Sequence, residues 1–164
     1  MNERTLSRLL AENVAPGTRR GSWHGGPTVV GALRGVSARQ ALWRPAPGRH
    51  SIWELALHIA YWHHVITQRL RGTAREPFPR SPANWPAVPD RPTEANWKAD
   101  RALIRAAHLE VAATIRAVPP SAYGRRPAGN RKWTFGETIL GAAQHEAYHT
   151  GQIQLLKRLW TSGR

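Results

Sequence analysis

The sequence predicts an all-α protein built as a helical bundle, and three observations carry that prediction. Apolar residues recur at three- and four-residue spacing through four long segments. No segment sustains the apolar–polar alternation of a half-buried strand. Finally, Ser or Thr followed three residues later by Glu or Gln precedes three of the expected helices, the pattern that satisfies free amides at a helix start.

Leu6, Leu9, Leu10 and Val14 give the first long segment its apolar stripe, and Pro16-Gly17 ends it. Two short helical turns are expected near 29–33 and 37–43, the second opened by Ser37-x-x-Gln40. Ser51-x-x-Glu54 opens the second long helix, which runs to about residue 71 and closes at Gly72. Pro77, Pro79, Pro82, Pro86, Pro89 and Pro92 then rule out any regular element over 77–92. A connection this long is either a surface crossover or a lid over a pocket, with Phe78 and Trp85 as apolar anchors. The third long helix starts near Thr93 and stops at Pro119-Pro120, with Trp97, Leu103, Ile104, Ala107, Val111 and Ile115 on its buried face. Thr134-x-x-Glu137 caps the fourth, which continues to Trp160 and ends at Ser162-Gly163.

At 164 residues the chain is expected to form a single domain, 1–164, large enough to bury a core without a covalent staple. It has no cysteine, so any transition metal must be held by nitrogen and oxygen. The opening residues lack the apolar core of a secretory signal, and no apolar run approaches the roughly 20 residues that cross a bilayer. The expected location is the cytoplasm, with no membrane partner. The formal charge of +14 comes from 24 basic and 10 acidic residues. Its Arg residues are scattered, with runs no longer than pairs such as Arg19-Arg20 and Arg125-Arg126, and form no reading head for nucleic acid.

The histidines carry the chemistry. His145-Glu-Ala-Tyr-His149 sets two imidazoles four residues apart, which puts both on one helical face within reach of a single ion. Thr138, Ala142, His145, His149, Gln152 and Leu156 share that arc, and Gly141 with Ala142 leaves room one turn earlier. Metal ligation would occupy one nitrogen of each ring and leave the other to donate to a neighbouring oxygen. A hydrogen-bonded core pair, with Tyr148 or Gln152 as partner, is the other reading of the same spacing. His58 shares a face with Leu55, Trp62 and Val65 and offers a third ring. His63 and His64 point elsewhere and are expected to be peripheral, while His108 has no companion at ligand spacing on its helix. His24 and His50 are weaker pocket candidates. Glu54 is the carboxylate nearest His58 by helical position, a weak catalytic candidate whose capping role accounts for it by itself. Glu146 lies about 100° from His145 and is expected off the face.

Ser51-Ile-Trp-Glu-Leu-Ala-Leu-His58-Ile-Ala-Tyr-Trp, followed by His145-Glu-Ala-Tyr-His149-Thr-Gly-Gln-Ile, resembles the DinB-like family, in particular its YfiT-type members. Ser22-Trp23-His24-Gly25, Pro47-Gly48-Arg49-His50 and Ser81-Pro82-Ala83-Asn84-Trp85-Pro86 add to the likeness, which covers nearly the whole chain. The resemblance implies a four-helix bundle with long crossovers and an up-down-down-up course. It implies zinc or nickel on three histidines, here His58, His145 and His149, and a homodimer. It further implies a metal-dependent hydrolase, or a transferase or isomerase that uses a low-molecular-weight thiol on a small-molecule substrate. A rival from another class is a non-catalytic, stress-related protein whose metal is structural or vestigial and whose basic surface engages nucleic acid.

Overall fold

The structure is a computed structural model that describes residues 27–73, 76–130 and 132–162, together with residues 5, 9 and 12–14. Its elements are α1 (Val29–Ala32), α2 (Ala38–Leu42), α3 (Ile52–Arg71), α4 (Glu94–Ala117), a 3-10 turn (Pro120–Ala122) and α5 (Phe135–Ser162). Among the described residues there is no strand. Of the first long segment, residues 5, 9 and 12–14 are helical. Leu6, Leu10, the Pro16-Gly17 stop, the Ser22-Trp23-His24-Gly25 motif and Gly163 lie outside the described residues.

The helix-start chemistry is present atom by atom. Ser51 Oγ accepts from the Glu54 amide, and Glu54 returns a carboxylate oxygen to the Ser51 amide at 2.7 Å. Thr134 and Glu137 make the same reciprocal pair at α5, and Ser37 and Thr93 cap α2 and α4 through their hydroxyls. Gly72 ends α3 in the left-handed region at φ 65°, and a Cβ there would stand 2.9 Å from that of Ala128. Conformation and space together therefore require glycine.

α3 is the central element, packed against α4 on one side and α5 on another. This explains why almost every residue from Ile52 to Ile66 is buried, beyond what a one-sided stripe predicts. One apolar cluster joins Trp53, Leu57, Trp97, Ile104 and Ile153; a second joins Val14, Ile66, Leu70, Val111, Ile115 and Ile139. The connection 76–92 is irregular, as its prolines require, but it is anchored. Phe78 and Trp85 pack on the first cluster. Arg80 reaches Asp100 of α4 at 2.7 Å, and Asp100 also accepts from the Trp53 indole at 2.9 Å. The short helices and the turns beside them are tied to the long ones by hydrogen bonds. Glu94 accepts from the Ala38 amide at 2.8 Å, Trp97 donates to the Val36 carbonyl at 2.8 Å, and Lys157 donates to the Ala32 carbonyl at 2.9 Å. Among the described residues no helix is long and apolar enough to cross a membrane.

Two expectations about α5 need correction. Gly141 is exposed with nothing near its would-be Cβ, so it leaves no room in the core; Ala142 is the residue that does. The buried face runs through Ile139, Ala142, Ala143, Glu146, His149, Thr150, Ile153 and Leu156. It is turned towards Glu146, and His145 stands at its edge. The reason lies in the partners, since α5 faces α3 and also the α1 segment.

Candidate metal centre

α3 and α5 bring His58, His145 and His149 together, with one ring nitrogen of each within 4.8 Å of the others. His58 Nδ1–H donates to the Asn84 carbonyl at 2.6 Å, which leaves its Nε2 as a lone pair 3.1 Å from His145 Nε2. His149 Nδ1–H donates to Gln152 Oε1 at 2.7 Å, one turn along its own helix, and frees its Nε2 in the same way. The Gln152 partnership anticipated for a core pair is thus made, and it is also the orienting bond a ligating imidazole needs. Tyr148 is exposed and meets His149 only edge-on.

The proline-rich connection forms one wall. Asn84 adopts φ 70°, a left-handed conformation that Asn tolerates better than most residues. In that conformation its carbonyl meets His58 and its side-chain oxygen accepts from the Trp62 indole at 2.9 Å. Trp85 stacks on His58 at 3.9 Å and 11°, and His50 stacks on Trp85 at 3.8 Å and 3°. His50 therefore stands beside the cluster with its ring half exposed, while His24 lies outside the described residues.

The electrostatics favour uncharged rings. Burial, reinforced by His149 and His58, pushes the His145 pKa down to about 4. Burial also lowers His58 and His149, against the opposing hydrogen bonds to Asn84 and Gln152. Three neutral imidazoles with orientation set from outside the ring are the donor set a borderline divalent ion prefers, and they fit it.

Glu54 is committed elsewhere. Burial alone would raise its pKa, but the Arg44 guanidinium and the amide and hydroxyl of Ser51 hold it below the ordinary carboxylate range. Arg44 takes Oε1 at 2.7 Å, and the Ser51 amide takes Oε2.

Three residues fall where the sequence did not place them. His63 is 1% exposed rather than peripheral, and His108 and Glu146 are 7% and 4% exposed. His63 Nε2–H donates to Glu146 Oε2 at 3.1 Å, His108 Nδ1 stands 3.6 Å from Glu146 Oε1, and the Val29 amide donates to that oxygen at 2.7 Å. These contacts join four elements, so no spacing within one helix announces them. The one available signal was the number of histidines on α3 and α4 that a plain apolar face would not need. His64 does stay near the surface, its Nε2 3.0 Å from the Glu76 carbonyl oxygen.

No curated protein and no solved structure matches the chain. A family model described as the DinB superfamily matches residues 25–153, a span that includes all three histidines of the cluster, and the chain belongs to that superfamily.

Proposed function

We propose that this protein is a metal-dependent enzyme acting on a small molecule, as a hydrolase or as a transferase that uses a low-molecular-weight thiol. The observation that carries the reading is the convergence of His58, His145 and His149, two of them with the far ring nitrogen already held by an oxygen. Zinc or nickel suits these donors, and either supplies Lewis acidity that brings the pKa of a water or a thiol towards neutrality. The chain's own contribution is positional. Asn84 and Gln152 hold two rings in the ligating tautomer, Trp85 covers the His58 face, and His50 stands at the rim as a group able to move a proton. Glu54 maintains the start of α3 and the Arg44 contact.

The same reading includes the YfiT-type four-helix bundle with an up-down-down-up course, supported by Val14 buried among α3, α4 and α5 residues. It also includes a homodimer. Leu140, Tyr148, Leu155 and Leu159 expose an apolar stripe along α5, of the kind a second copy would cover.

The test is elemental analysis of the purified protein, followed by a screen of esters and amides, and of electrophiles with thiols. We expect turnover that follows metal content and disappears in His58→Ala, His145→Ala and His149→Ala. Full metal binding at this cluster with no turnover in any arm would favour the non-catalytic reading.

A further inference from the structure

We propose that His63, His108 and Glu146 form a second divalent-metal site, enclosed between α3, α4 and α5 and separate from the three-histidine cluster. Ligand atoms of the three side chains lie within 4.8 Å of one another, and all three residues are buried. Ordinary hydrogen bonding accounts for only part of this arrangement. His63 reaches Glu146 Oε2, but His108 Nδ1 stops 3.6 Å from Oε1, beyond hydrogen-bonding range. Neither His108 Nδ1 nor His63 Nδ1 has a hydrogen-bond partner among the described residues. A buried imidazole nitrogen left without a partner destabilises a fold, and His108 Nδ1, aimed into the cluster, is the one an ion would satisfy, with His63 ligating through Nε2.

The spacing suits an ion. Two ligands on bonds of roughly 2.0–2.1 Å at the tetrahedral angle stand roughly 3.3 Å apart; each ring nitrogen faces its own oxygen of Glu146 near that spacing, His63 at 3.1 Å from Oε2 and His108 at 3.6 Å from Oε1. Both carboxylate oxygens with one nitrogen from each ring make a donor set of two nitrogens and two oxygens. Such a set favours zinc, nickel or cobalt over the all-oxygen preference of magnesium and calcium. The Val29 amide on Glu146 Oε1 supplies the outer bond that orients a ligating carboxylate. With every ligand buried, the site is closed and structural, fastening three helices directly behind the first cluster through adjacent residues, His145 and Glu146.

Stripped protein equilibrated with Zn²⁺ alone and analysed for metal would decide the matter. We expect two ions per chain in the wild type, one in His145→Ala/His149→Ala, one in Glu146→Gln and none when these changes are combined. A single ion in the wild type that vanishes in His145→Ala/His149→Ala and persists in Glu146→Gln would overturn the second site and leave the first standing. A single ion with the reverse pattern would support the second site and remove the first. Helical circular dichroism checks the fold of each variant. Co²⁺ absorption of His145→Ala/His149→Ala gives an independent reading: ligand-field bands that shift or disappear in an added His108→Ala support the site, and bands absent throughout overturn it.

Discussion

Two donor sets meet on α5, one residue apart, and they differ in how they face water and in how their polar atoms are satisfied. The three-histidine cluster carries no acidic ligand, keeps His145 partly accessible, and has two rings oriented by oxygens outside the cluster. The His63–His108–Glu146 cluster is closed on all sides and holds its own negative charge. Burial would raise the Glu146 pKa, but His63, His108 and the Val29 amide keep it below the ordinary value, so the carboxylate is ionised. His58 and His149 are as buried as His108, so the two sets differ in access at His145 alone and in charge. A neutral set reached through one ring can exchange a ligand there, whereas a charged one with every residue buried ties helices together. The comparison therefore predicts different failures when each is cut.

The largest effect is expected at Glu146. Glu146→Ala removes the hydrogen-bond acceptor of both the His63 ring and the Val29 amide inside the buried core, and each buried donor left unsatisfied costs about 1–3 kcal/mol. Denaturant unfolding with chelator present should place Glu146→Ala well below His149→Ala, whose site is partly open. Equal losses would erase the distinction between the two clusters.

The pH dependence should come from the four histidines whose pKa burial lowers, the three of the first cluster together with His108 of the second. His145 is held near 4 against an ordinary 6.5, with His58 and His149 also lowered. Between those values the unfolded chain binds more protons than the folded one, so stability falls as pH drops from about 6.5 towards 4. Above that window these rings are neutral in both states and contribute no slope. His145→Gln removes one such ring and should flatten the decline in chelator-treated protein. An unchanged slope would show that His145 is not held neutral by the fold.

A smaller effect is expected at Asn84, which serves only the open cluster. Asn84→Gly keeps the left-handed backbone and the carbonyl for His58 but leaves the Trp62 indole without its acceptor, at about 1 kcal/mol. Asn84→Ala adds the cost of a Cβ at φ 70°, a further ~1 kcal/mol. Thermal unfolding should rank wild type above Gly above Ala. Reversal of the two variants would mean that the left-handed backbone at position 84 does not favour glycine and is not what positions this wall.

The same contrast explains how much could be read in advance. The helices of 51–71, 93–118 and 134–160 were legible because caps and apolar periodicity are local, and the structure gives Ile52–Arg71, Glu94–Ala117 and Phe135–Ser162. His145 and His149 were legible for the same reason, since an i,i+4 pair declares its shared face. Asn84 was not, because its contribution is a carbonyl placed by an unusual φ inside a proline-rich segment. His63, His108 and Glu146 were illegible for a further reason. α3 packs on two sides, so a residue rotated off the first apolar face enters a second interface instead of solvent.

The smallest effect should separate two neighbours. His63 and His64 are adjacent, yet the roughly 100° turn between them sends one into the core and the other to the Glu76 carbonyl beside Gln68. His64→Ala removes one partly exposed hydrogen bond and should cost less than about 1 kcal/mol, because water can replace the lost partner. It touches neither donor set, so metal content should stay at the wild-type level under every loading condition. His63→Ala, by contrast, should lower both stability and metal content. Elemental analysis of the two variants side by side is the sharpest comparison the fold offers, since they share a helix, a residue type and nearly a position. Metal loss in His64→Ala would mean that ligation extends along α3 towards Glu76 and that the boundary of the buried cluster is drawn in the wrong place.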